Sequence, residues 1–264
     1  MRQLLMNEVK EILLEILLKF DEYCTQNGLR YYLCGGALIG AIRHKGFIPW
    51  DDDIDVLMPR PDYERLIELE RKKKISDTFD LFTYKNRNSN LIFIKLGDIT
   101  TQIYNKYQVE NECISIDIFP IDGMSNENFV NKKRFNVMKF YHYLYSLKLW
   151  RFGNATSLPK NIIKSICYPI SLTVNHSFIC NKMDMFAKKY SFEHSYYIGD
   201  IIWGYGVKEI VSKEEFLPQV TVKFENYEFK TTQMYDKYLS QVYGDYMSLP
   251  PEEKRKNHEL IAYR

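Results

Sequence analysis

Apolar residues at Leu5, Val9, Ile12, Leu13, Ile16, Leu17 and Phe20 fall at helical spacing, with Glu8, Glu11 and Glu15 between them. The pattern predicts an amphipathic first helix that stops at Asn27-Gly28. Tyr31–Cys34 is a short apolar run that reads as a strand and ends at Gly35-Gly36. Ala37–Ile42 is a compact apolar helix, closed by Arg43-His44-Lys45 and Gly46. The chain then turns through Phe47-Ile48-Pro49-Trp50 into Asp51-Asp52-Asp53-Ile54-Asp55-Val56-Leu57-Met58, where an acidic run passes straight into an apolar strand. From Pro59 to about Lys74 the period is helical again, with Tyr63, Leu66, Ile67 and Leu69 inward and a basic, solvated end. Phe79–Tyr84 and Leu91–Leu96 predict paired strands around the turn Asn86–Asn90.

Downstream, Cys113–Ile121 is an apolar strand with one acid, Asp117, in its middle, and Asp122-Gly123 reads as the turn that ends it. Between about residues 126 and 190 aromatic residues such as Phe135, Tyr141, His142 and Trp150 alternate with Lys132, Lys133, Arg134, Lys139 and Lys148. That texture predicts two or three helices, broken at Gly153–Pro159. Basic and aromatic residues on helices suit contact with a membrane surface, although helices laid over a sheet with their lysines in water are the commoner arrangement. The last third holds a glycine-rich aromatic stretch, Gly199–Gly206, suited to stacking on a base or sugar. It also holds a hairpin across Phe224–Phe229 and a short helix at Tyr235–Tyr243. The division is one domain: a core over about 1–125, a helical insertion over about 126–190 and a C-terminal extension over about 191–264.

A net charge of +2 provides none of the basic field on which nucleic-acid binders rely, so no nucleic-acid partner is expected. Five cysteines, odd in number and never spaced C-x-x-C, argue against a disulfide scaffold or a zinc site and for a reducing cytoplasm. The acids in the first helix exclude a signal peptide, and no apolar run reaches membrane-spanning length.

Four carboxylates in five positions (Asp51, Asp52, Asp53, Asp55) repel one another, and a divalent cation offsets that repulsion economically. On a strand, Asp53 and Asp55 share one face while Ile54 and Val56 enter the core. An oxygen-only ligand set favours Mg²⁺ or Mn²⁺. The Gly35-Gly36 turn lets backbone N–H groups approach an anion, and Arg43 and Lys45 are candidates to hold phosphates beside it. Lys95 is a further candidate for a donor phosphate, with a solvent-facing lysine as the default. Taken singly, a Gly-Gly pair is a turn, an aspartate run a solvated loop and Arg43-His44-Lys45 a basic helix end. Their joint spacing in one strand–turn–helix–strand unit is what points to phosphoryl or nucleotidyl transfer.

The stretch GGALIGAIRHKGFIPWDDDIDVLMPRPDY resembles the signature of the LicD family, which includes the fukutin-related proteins. "IDIFP" and "YGDYMSLPP" resemble weaker family elements downstream. The resemblance implies an α+β fold of nucleotidyltransferase type (DNA polymerase beta-like): a mixed-sheet core with a helical insertion and a C-terminal extension. It implies transfer of a phospho-alcohol, such as phosphocholine, from a CDP-alcohol donor to a sugar hydroxyl of a glycan or lipid-linked oligosaccharide, with CMP released. By the same resemblance Asp117 is the third metal-site carboxylate and candidate general base, alongside Asp51, Asp53 and Asp55. Two rivals stand beside this reading: a nucleotidyltransferase of the same fold that releases pyrophosphate, and a Ca²⁺-binding scaffold in a glycan-assembly complex. His258 has no assigned role.

Overall fold

The computed structural model describes residues 1–86, 89–104, 112–149, 165, 175–255 and 261–264. The break at 153–159 and His258 lie outside the described residues, as does Cys167.

Helix α1 (Met6–Asn27) buries the predicted apolar stripe, Ile12, Leu13, Ile16, Leu17 and Phe20. It ends at Gly28, whose left-handed backbone (φ 62°) caps it by bonding the carbonyls of Cys24 and Thr25. Strand β1 (Tyr32–Leu33) leads into α2 (Gly35–Ile39), which continues as a widened turn over Gly40–His44. Strand β2 (Asp55–Pro59) starts two residues later than the alternation suggests, so Asp53 lies in the segment just ahead of it. Helix α3 (Arg60–Lys72) begins directly after Pro59, with a second proline in its first turn where no N–H is missed.

Strands β3 (Phe79–Phe82) and β4 (Ile94–Asp98) pair antiparallel as predicted, but over a longer connection than the Asn-rich turn alone. After β5 (Gln102–Tyr104) comes β6 (Ser115–Met124), the longest strand. It corrects one expectation: Asp122-Gly123 is not a turn. Both residues stay in the strand because Asp122 is tied to the buried Arg60, which donates from Nε and Nη2 at 2.7 and 2.6 Å. Helices α4 (Asn128–Leu149) and α5 (His176–Ala187) pack on each other. Then follow β7 (Tyr197–Gly199), β8 (Val211–Ser212), the short α6 (Lys213–Phe216), the hairpin β9 (Gln219–Phe224) and β10 (Tyr227–Thr232), α7 (Tyr235–Tyr243) and β11 (Ile261–Tyr263).

The main sheet runs β1-β2-β6-β4-β3, with β7 and β8 continuing from the far end of β6. Among the described residues only the β2–β6 pairing is parallel; its neighbours are antiparallel, so the protein is α+β with a mixed sheet. One continuous apolar core runs between this sheet and the helices, and it includes Phe20, Tyr31, Leu38, Val56, Leu66, Ile116 and Ile118. Among the described residues no helix is long and apolar enough to cross a membrane.

Candidate active site

Strand register assembles the site. Parallel pairing of β2 with β6 sets Asp55 opposite Asp117, and antiparallel pairing of β4 with β6 sets Lys95 opposite the same Asp117. Residues directly opposite on adjacent strands share a face, so the three form a row across the sheet. The Lys95 ammonium is 3.5 Å from Asp117 Oδ1 and 3.1 Å from Glu112 Oε2. Lys95 is therefore a half-buried, ion-paired residue and not the solvent-facing lysine of the default reading.

Burial pushes the Asp55 carboxyl well above the usual carboxylate range, and the charges of Asp53, Asp117 and Asp51 push it further. Burial likewise raises Asp117, to about 6, with Asp53 adding and the Lys95 ammonium opposing. Burial works against the charge on Lys95, but Asp117 and Glu112 outweigh it and hold the ammonium protonated. These aspartates thus sense one another's charge, as their spacing in sequence implies.

The structure gives the glycine pair a reason beyond the turn. Gly35 has a left-handed backbone (φ 54°), and a Cβ there would come within 2.7 Å of Asp55 Oδ2; a Cβ on Gly36 would collide with the Asp51 carboxylate. The missing side chains make room for the acids. A Gly35→Ala substitution meets both the left-handed strain and that contact, and is expected to lower Tm by about 2–8 °C. Thermal denaturation reads this directly; an unchanged Tm would show that Asp55 moves aside freely.

A cavity of about 590 Å³, within the range of small-molecule sites, opens over this row. Its lining includes Gly35, Asp52, Asp53, Asp55, Lys95 and Asp117. Gly36, Asp51, Arg43 and Lys45 are not part of that lining. Arg43 Nη1 donates to the carbonyls of Tyr246 (2.7 Å) and Ser248 (3.1 Å), which fastens the C-terminal stretch to the widened turn. Lys45 is exposed, takes a left-handed backbone (φ 61°), and its carbonyl accepts from Glu225 N–H at 2.7 Å.

The same cavity is also lined by Asp200, Trp203 and Tyr205, from the stretch read as suited to stacking, and by Glu209, Tyr238 and Tyr243, which sequence reasoning did not assign. Asp200 Oδ1 accepts from the N–H groups of Ile202 (2.8 Å) and Trp203 (2.9 Å), and burial pushes its carboxyl up to about 7. Glu209 accepts from Tyr205 N–H (3.1 Å) and from the Tyr238 hydroxyl (3.3 Å). Burial, with Asp200 adding, raises it to about 8. The glycine-rich aromatic texture of Gly199–Gly206 was the signal for this part of the lining; Glu209, isolated in sequence, gave none.

The acidic side chains offer oxygen donors only. Among the described residues no three His, Cys, Asp or Glu side chains already converge tightly enough to hold a metal ion. In donor type Asp53, Asp55 and Asp117 nonetheless suit a hard divalent cation.

Fold and site together define an α+β protein that gathers several carboxylates and a lysine around one ligand-sized cavity. Comparison with known proteins narrows this. A family model described as "LicD/FKTN/FKRP, nucleotidyltransferase domain" matches residues 28–161. The lipopolysaccharide cholinephosphotransferase LicD of Haemophilus influenzae is 32% identical over 276 aligned positions, covering 98% of both chains. Uncharacterized proteins of Rickettsia typhi and Rickettsia prowazekii are 27% and 28% identical over half of this chain, covering 37% and 44% of their own lengths. The chain belongs to the LicD family.

Proposed function

We propose that this protein transfers a phospho-alcohol, phosphocholine first among the candidates, from a CDP-activated donor to a sugar hydroxyl of a cell-surface glycan or its lipid-linked precursor, releasing CMP. The observation that carries this reading is the register-built row Asp55–Asp117–Lys95, facing a ligand-sized cavity in a chain similar over nearly its whole length to a cholinephosphotransferase. We read the core as the nucleotidyltransferase-type fold.

Asp53 and Asp55, helped by Asp51 or Asp117, would hold Mg²⁺ or Mn²⁺; such a cation supplies charge neutralisation for the donor diphosphate. The chain's own groups do the rest. Asp117, raised only to about 6, is mostly ionised at neutral pH and positioned to accept the proton of the acceptor hydroxyl. As that proton leaves, the hydroxyl oxygen bonds to the β-phosphorus and the bond to the CMP oxygen breaks. Lys95, fixed against Asp117, stands ready to donate to a phosphate oxygen. Gly35, without a side chain, leaves room for the Asp55 carboxylate.

Calorimetric titration with CDP-choline, CDP-glycerol, CDP-ribitol, ATP and CTP, each with Mg²⁺, tests the donor class. Product analysis then follows with an acceptor glycan. Binding of one CDP-alcohol above the triphosphates, with release of CMP, is expected. Release of pyrophosphate would replace this reading with nucleotidyl transfer, and Ca²⁺ binding without turnover of any donor would replace it with a scaffold.

A further inference from the structure

If the donor is CDP-choline, its quaternary ammonium needs a home that the aspartate row does not offer. A trimethylammonium group has no N–H to donate. It is recognised by aromatic faces, with a carboxylate near enough to favour its charge. The part of the cavity lining drawn from Trp203, Tyr205, Glu209 and Tyr243 has those parts. Trp203 and Tyr205 line the cavity yet are 48% and 68% exposed, unusual for large aromatic residues with neighbours to pack on. Each is held in place. Trp203 sits edge-on to Phe93 and His142, with ring centroids 5.1 and 5.0 Å away. Tyr205 packs edge-on against Tyr243 at 5.4 Å.

Behind the rings lies a buried carboxyl group, which a bound cation would draw toward its charged form. Glu209 receives the Tyr205 backbone N–H, so the residue that presents the ring also fixes the carboxyl group. Gly204, between the two aromatics, is required there: a Cβ would collide with Glu209 Oε2. These residues are also within electrostatic reach of the aspartate row, since Asp55 and Glu209 both act on the Tyr205 hydroxyl and on Cys34. The cavity lining therefore holds groups suited to a diphosphate together with groups suited to a soft cation, the two recognition tasks that CDP-choline sets.

We propose that Trp203, Tyr205 and Tyr243, backed by Glu209, form the pocket for the quaternary ammonium of the donor, and so select choline over uncharged alcohols. This rests on the transferase reading above, and supplies the specificity element that the sequence, with its 21 Tyr and 16 Phe, could not single out.

The test is calorimetric titration of the full chain with CDP-choline, CDP-glycerol and CDP, each with Mg²⁺, for the wild type and for Trp203→Leu, Tyr205→Leu and Glu209→Gln. The wild type is expected to prefer CDP-choline to CDP-glycerol. Each variant is expected to lose about tenfold in CDP-choline affinity while CDP and CDP-glycerol change by less than about twofold. Equal losses for all three nucleotides, or an unchanged preference for choline, would overturn the pocket and leave the transferase intact. A wild type that prefers CDP-glycerol would do the same. A wild type that binds none of the three removes the transferase reading itself, and the pocket falls with it. Because Glu209 is buried, near-ultraviolet circular dichroism and Tm accompany each variant. If Glu209→Gln unfolds, the two exposed aromatic positions decide the outcome.

Discussion

Asp55→Asn is expected to reduce transfer by about a hundred- to a thousandfold without making the protein less stable. The carboxylate stands on β2 opposite Asp117, with Gly35 cleared of a side chain beneath it. Burial and three neighbouring aspartates raise its pKa well above the ordinary value. The sign for stability follows. A carboxyl whose pKa is higher folded than unfolded takes stability away as pH rises from the unfolded value, near 3.9, through the folded one. At pH 7.5 without divalent cations, burying this acid carries a penalty that Asn relieves, so the variant should melt at or above the wild-type temperature. Mg²⁺ should then raise the wild-type Tm by binding only the folded state, and leave Asp55→Asn unmoved. Equal stabilisation of both proteins by Mg²⁺ would place the cation elsewhere, and full activity in the variant would remove Asp55 from the mechanism.

The row that holds Asp55 shows how much of the site could be read from sequence. Alternation along Ile54-Asp55-Val56 and along Ile116-Asp117-Ile118 identifies two strands, each with an acid on its polar face. Local pattern says nothing about which strands are neighbours or in which register. The parallel pairing that brings Asp117 beside Asp55, and the antiparallel pairing that adds Lys95, are long-range choices made by the core. Gly35 and Gly36 were legible as a turn, while their service to Asp55 and Asp51 needed three dimensions. Arg43 illustrates the opposite limit. A cation close in sequence to the acidic run invites a phosphate role, yet its guanidinium reaches over two hundred residues along the chain to the carbonyls of Tyr246 and Ser248. The lining around Asp200 and Glu209 was the least legible part, because a buried carboxylate in a loop has no periodicity to betray it.

Asp122 was misread for a related reason, and its true role leads to the largest expected effect on stability. Arg60, the first residue of α3, is 6% exposed and donates to both oxygens of Asp122 on β6, while its Nη1 donates to Asp184 Oδ1 on α5 at 2.9 Å. Lys188 and Lys85 join the cluster, at 2.7 and 3.3 Å from Asp184 Oδ2, and Glu64 pairs with both lysines and with Arg60. One guanidinium thus joins a helix of the first half, the longest strand and a helix that follows it by more than fifty residues. Arg60→Met would leave two buried carboxylates without their main partner, a loss of about 3–5 kcal/mol. For a chain of this size that is a fall in Tm of roughly 6–20 °C. A second change, Asp122→Leu, should recover part of the loss, since an apolar replacement removes the stranded charge instead of exposing it. The pH dependence has the opposite sign to that of Asp55. Burial opposes ionisation of Asp184, but Arg60, Lys85 and Lys188 outweigh it and hold the carboxyl down at about 2. Its contribution is complete above the unfolded value near 3.9 and is lost as pH falls toward 2, so acid unfolding should steepen across that interval. Asp184→Asn should flatten that part of the acid limb, and a wild-type-like Tm in Arg60→Met would show that the cluster contributes little to holding α3, β6 and α5 together.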